Sequence, residues 1–100
     1  MAAHLLEPLV QQLHDLAARS GASRLVLFGS RARGDHRERS DIDLAVWGLQ
    51  GMDVGRFRLA LEELPTLLSF DLVCADACTN LKLLEIIERE GVVLYAADEM

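Results

Sequence analysis

Apolar residues recur at Leu6, Leu9, Val10, Leu13, Leu16 and Ala17, the three- and four-residue spacing of one helix face. Pro8 falls where a first helical turn tolerates it, and Gly21 is a natural stop. The period then changes. Arg24–Phe28 is a short β-rich run ended by Gly29-Ser30; residues 30–34 read as one helical turn and residues 35–40 as a charged loop. Asp41–Trp47 alternates as a strand, with Gly48 and Gly51 marking a turn. Asp53 is expected to cap a helix running to about Leu64, with Val54, Phe57, Leu61 and Leu64 on one face and Pro65 at its end. Ser69–Cys74 predicts a third strand. Thr79 or Asn80 is placed to cap a last helix with Leu81, Leu84 and Ile87 inward and Gly91 closing it, before a final strand over Val92–Tyr95. This order predicts an α/β or α+β domain spanning residues 1–100, a small mixed β-sheet with helices on one side.

Half of the 100 residues are apolar but only 5% are aromatic, so the expected core is aliphatic. Cys74 and Cys78 are too few for a disulfide framework and lack a second pair for zinc; a reduced, structural role is expected. No apolar run is long enough to span a bilayer and no basic segment precedes the first apolar residues, which predicts a cytoplasmic protein with no membrane partner. The net charge of −6 argues against direct binding of an extended nucleic acid. That charge is uneven. Residues 24–39 carry Arg24, Arg31, Arg33, Arg37 and Arg39 against Asp35 and Glu38, a local +3 within a chain that is otherwise −9. Such a patch suits a small anion better than a long polyanion.

Candidate chemistry gathers on both sides of the charged loop. Along a strand Asp41 and Asp43 share a face, while Ile42, Leu44 and Val46 form the apolar face. Adjacent carboxylates repel unless a cation or proton offsets them, and hard oxygen ligands with open positions suit Mg²⁺. Gly29-Ser30, between a strand and a helical turn, offers close backbone approach and a hydroxyl donor to an anion. Arg33 lies three residues beyond Ser30 on the same helical face and is expected to reach phosphates; Arg31 diverges from it by roughly 200°. Asp71 near the start of the third strand supplies a third acid if the helix between makes the two strands parallel; Asp76 is the reserve. Together Gly29, Ser30 and Arg33 would hold a triphosphate, Asp41, Asp43 and Asp71 two Mg²⁺ ions, and Asp71 alternatively a base, which describes two-metal phosphoryl transfer. Trp47 shares the acid face about 13 Å further along. Core packing is its expected role. His4, His14 and His36 show no metal-ligand spacing.

Gly29-Ser30, ten intervening residues and Asp41-Ile42-Asp43 resemble the signature of DNA polymerase β-like nucleotidyltransferases. The strings Phe28–Gly34 and Ser40–Leu44 resemble the minimal nucleotidyltransferase (MNT) subgroup, and the likeness extends through Asp71-Leu72-Val73 and Glu90–Tyr95. The resemblance implies a polymerase β-like core in which Asp41 and Asp43 bind divalent metal and Asp71 activates the attacking group. It also implies a frequent partner, a helical HEPN protein that is often a ribonuclease toxin, with the MNT chain as antitoxin. The activity expected on this basis is Mg²⁺-dependent transfer of a nucleotide, AMP from ATP, to a hydroxyl of that partner. The alternative is a non-catalytic antitoxin or nucleotide-binding module that masks its partner. Association with a second copy or with a different chain is left open.

Overall fold

Period-3.6 apolar spacing produces α1 (Glu7–Ser20), with Pro8 in its first turn and Gly21 closing it at φ 83°. Beyond it lie β1 (Arg24–Phe28), the short α2 (Ser30–Arg33), β2 (Ile42–Trp47), α3 (Met52–Glu62), β3 (Phe70–Cys74), a single 3₁₀ turn at Ala75–Ala77, α4 (Leu81–Glu90) and β4 (Val92–Ala96). This computed structural model describes residues 4–97. The strands form one sheet in the order β3-β2-β1-β4. β1 pairs antiparallel with β2 and β4, and β2 pairs parallel with β3 across the α3 crossover. The mixed-sheet α+β class is the one expected.

One face of the sheet carries the main core. Leu25, Leu27, Ile42, Leu44, Val46 and Leu72 pack there against Leu13, Leu16, Phe57 and Leu61 of α1 and α3. The expected apolar face holds, since Ile42, Leu44 and Val46 have no exposed surface; beside it Phe70 is half-buried at the edge. α4 corrects the expectation of helices on one side only. Its Ile87, with Leu83 and Leu84, packs on Val26, Phe28 and Ala45, the opposite face. The physical reason lies in β1, where Leu25, Val26, Leu27 and Phe28 are all buried: a strand apolar on both faces needs cover on both.

Two local assignments also change. Asn80 Oδ1 accepts a hydrogen bond from the Leu83 N–H at 3.1 Å, so Asn80 rather than Thr79 caps α4, and Leu81 in its first turn points outward, 77% exposed. α3 begins after Gly51, which at φ 56° turns the chain two residues earlier than a cap at Asp53 requires. Asp53 makes no capping bond; it lies in the first turn beside Arg56 at 3.7 Å, where a carboxylate still favours the helix dipole.

The two leucine-family positions of α4 provide a check. Ile87→Ala is expected to lower stability by about 2–4 kcal/mol in urea titrations, because the small second core cannot collapse onto the gap. Leu81→Ala is expected to stay within about 0.5 kcal/mol of the parent. Equal losses at both positions would place α4 on the wrong helical face.

Candidate active site

Strand register builds the site. Asp43 lies directly opposite Asp71 in the parallel β2–β3 pair and opposite Phe28 in the antiparallel β1–β2 pair. The start of β2, the start of β3 and the end of β1 therefore meet at one corner. Asp41, two residues before Asp43, is exposed on the same side, and the Ile42 N–H donates to Ser69 O at 2.9 Å, tying the two strand starts together. α4 packs chiefly on β1, so this corner stays open. Parallel pairing thus brings Asp71 to the same side of the sheet as Asp43.

Gly29 closes the corner from β1. Its φ of 75° belongs to the left-handed region, and a Cβ there would collide with Asp43 Oδ2 and lie 3.1 Å from Asp43 Cγ. Glycine is needed twice over: for the turn and for room beside the carboxylate. α2 then starts at Ser30 and ends at Gly34, whose N–H donates to Ser30 O at 2.8 Å.

The two arginines of α2 part company as their spacing predicts. Arg33 stays exposed, donating to Asp35 at 3.2 Å and to Glu90 at 3.1 Å. Arg31 turns inward and is buried, with no carboxylate partner among the described residues. Its Nε donates to Ser40 O at 3.1 Å, and its Nη2 donates to Glu38 O at 3.1 Å and Arg37 O at 3.4 Å. Arg31 thus gathers the carbonyls of the loop that delivers Asp41. Its divergence from Arg33 signalled an inward side chain; the carbonyl partners themselves are set by the folded loop.

Other candidates fall elsewhere. Asp76 sits at the far end of β3, where its carboxylate accepts from the Gly48 N–H at 2.6 Å and staples a turn. Trp47 lies under the Arg24 guanidinium, 4.6 Å from ring centroid to Cζ, and packs beside the second core. Both cysteines are free. A cavity of about 540 Å³ between α3 and β3 is lined by Arg58, Glu62, Phe70 and Leu72, on the face of β3 away from Asp71.

Electrostatics at the corner are unbalanced. Burial raises the Asp43 carboxyl above its ordinary value, the charges of Asp71 and then Asp41 add to this, and Arg33 opposes it. Among the described residues no three His, Cys, Asp or Glu side chains form a preassembled metal cage. The donor set nonetheless fits Mg²⁺, which takes one or two carboxylates plus water and substrate phosphates, and a mutually repelling pair gains from a cation.

Since the folded protein holds the Asp43 proton more tightly than the unfolded chain, Asp43 makes stability fall as pH rises from the usual carboxylate range through its raised value. Asp43→Asn is expected to flatten that fall and, without divalent cation, to stabilise the domain near pH 7 by about 0.5–1 kcal/mol, a modest gain because the half-exposed group is screened. Thermal melts across pH 4–8 check it; a mutant that melts lower than the parent at pH 7 would show that the repulsion is already relieved.

A family model described as polymerase beta, nucleotidyltransferase, matches residues 11–100. No curated protein sequence matches the chain. Among solved structures, one described as a candidate minimal nucleotidyltransferase is 38% identical, with a TM-score of 0.71 over 87% of this chain and 90% of that one. A toxin–antitoxin complex with AMP-PNP shares the fold at 21% identity, TM-score 0.73, covering 89% of this chain and 74% of its counterpart. So does the complex of a tri-AMPylated Shewanella oneidensis HEPN toxin with its MNT antitoxin, at 19% identity, TM-score 0.62, over 93% and 74% of the two chains. With nine-tenths of its length matched by one family model and the signature acids meeting at one sheet corner, the chain belongs to the polymerase β nucleotidyltransferase family.

Proposed function

We propose that the chain is an antitoxin-type nucleotidyltransferase that moves AMP from ATP to a hydroxyl of a HEPN partner. The observation that carries this reading is the pairing of Asp43 with Asp71, with Asp41 beside them and Gly29 pressed against Asp43. The structures similar to this chain that contain AMP-PNP or an AMPylated HEPN toxin support ATP and a HEPN acceptor.

In this reading Gly29 and Ser30 receive the β- and γ-phosphates at the turn, with Arg33 alongside. Mg²⁺ held by Asp41, Asp43 and Asp71 would supply screening of the charge that develops on the phosphoryl oxygens. Asp71, exposed like Asp41 but on the edge strand β3, would take the proton of the acceptor hydroxyl. The acceptor oxygen bonds to the α-phosphorus as the bond from that phosphorus to the α,β-bridging oxygen breaks, and pyrophosphate leaves toward Gly29-Ser30 with the electron pair. The open corner leaves room for the acceptor to be presented by another chain. An attached AMP adds negative charge to the partner and repels an RNA backbone from its cleavage site. No helix among the described residues is long and apolar enough to cross a membrane.

The test first recovers the proposed HEPN partner by co-purification with this chain and then pairs the two. Incubation with Mg²⁺-ATP is expected to add AMP-sized increments to the partner's intact mass, with none in the presence of Asp41→Asn protein. Full neutralisation of the partner by Asp41→Asn, with no mass change in the parent reaction, would sink transfer and leave masking as the activity.

A further inference from the structure

Arg33 ends a four-residue helical turn, too little structure to fix a long side chain. Two carboxylates do so. Nε donates to Asp35 Oδ2 at 3.2 Å and Nη1 donates to Glu90 Oε1 at 3.1 Å. Asp35 is exposed and two residues away; Glu90 is the last residue of α4, with a side chain only 26% exposed. Its backbone is pinned as well. The next residue, Gly91, donates to Ile87 O at 2.9 Å and lies so close to Val26 that no Cβ fits there. The end of α4 is therefore seated on β1, and Glu90 reaches from that seat to Arg33.

A guanidinium has five N–H donors in a planar fork. Among the described residues Asp35 and Glu90 engage Nε and Nη1, and Nη2 has no protein partner. α2 starts at Ser30 directly after Gly29, whose backbone lies against Asp43, so Arg33 at the end of that single turn stands beside the acid corner. We propose that Glu90 is a positioning residue that holds Arg33 at the mouth of the corner so that its unused Nη2 edge meets the phosphates of the bound nucleotide. This role rests on the triphosphate reading given above. It joins α4, on the second core, to a nucleotide site built on the other strand ends. A brace that merely ties α2 to α4 would contribute to stability without any coupling to the nucleotide.

Calorimetric titration with Mg²⁺-ATP separates the two. Glu90→Ala is expected to weaken binding about three- to tenfold, the range for one charge-assisted contact in a partly exposed site. Glu90→Gln, which keeps the acceptor oxygen, should stay within about twofold, and Glu90→Asp, which keeps the charge but falls short by one methylene, should weaken binding as Glu90→Ala does. In an Arg33→Ala background Glu90→Ala should add nothing. Equal weakening in both backgrounds, unchanged affinity, or tighter binding from loss of a repelling carboxylate each overturn the role of Glu90 while leaving the nucleotide site intact. A parent protein that binds no Mg²⁺-ATP overturns the triphosphate reading itself, and this role with it.

Discussion

Parallel pairing of β2 with β3 in one register is the constraint on which the candidate site depends. It sets Asp43 opposite Asp71 at the strands' usual separation of about 4.8 Å. A slip by one residue would turn one of the two carboxylates into the core and expose Ile42 or Phe70 in its place. The apolar face therefore enforces the acidic one: Ile42, Leu44, Val46 and Leu72 can be buried under α1 and α3 only if the acids come together on the other side. Repulsion at the corner is held in place by the free energy of burying the opposite face. Gly29 and Arg33 then act on an arrangement the sheet has already fixed, one by making room and the other by supplying opposite charge.

Much of this was legible in the sequence because two periods coincide there. Alternation over Asp41–Trp47 separates acids from aliphatics, and the interval after Gly29-Ser30 places a turn beside them. Asp71 followed from one further step, that a helix between strands permits parallel pairing. The side taken by α4 did not follow, since Leu25–Phe28 is apolar throughout and does not say which helix covers which face. Asp53 misled because its type favours a cap, whereas the conformation of Gly51 decided where α3 begins. The Arg33–Glu90 pair was invisible because 57 positions separate its members and only the folded sheet brings them together.

The two cores divide the work unequally. The larger one fixes strand register, while the smaller one seats α4 through Ile87 and leaves the corner uncovered. Had α4 joined the other helices, Val26, Phe28 and Ala45 on the acid face would lose their cover from Ile87, Leu83 and Leu84. A half-sheltered position is what raises the Asp43 carboxyl and makes a cation worth binding there.

The buried Arg31 acts as a ruler. Its guanidinium spans three stations of the loop, the carbonyls of Arg37, Glu38 and Ser40, and so measures the path from the glycine turn to Asp41. The ten-residue interval between Ser30 and Asp41 is therefore a calibrated length rather than slack. Loops commonly absorb insertions at small entropic cost, but a chain lengthened within this span would leave a buried cation facing the wrong carbonyls. The exposed side chains of the loop can change without altering its path, because the count between turn and strand is kept by an arginine bonded to backbone carbonyls.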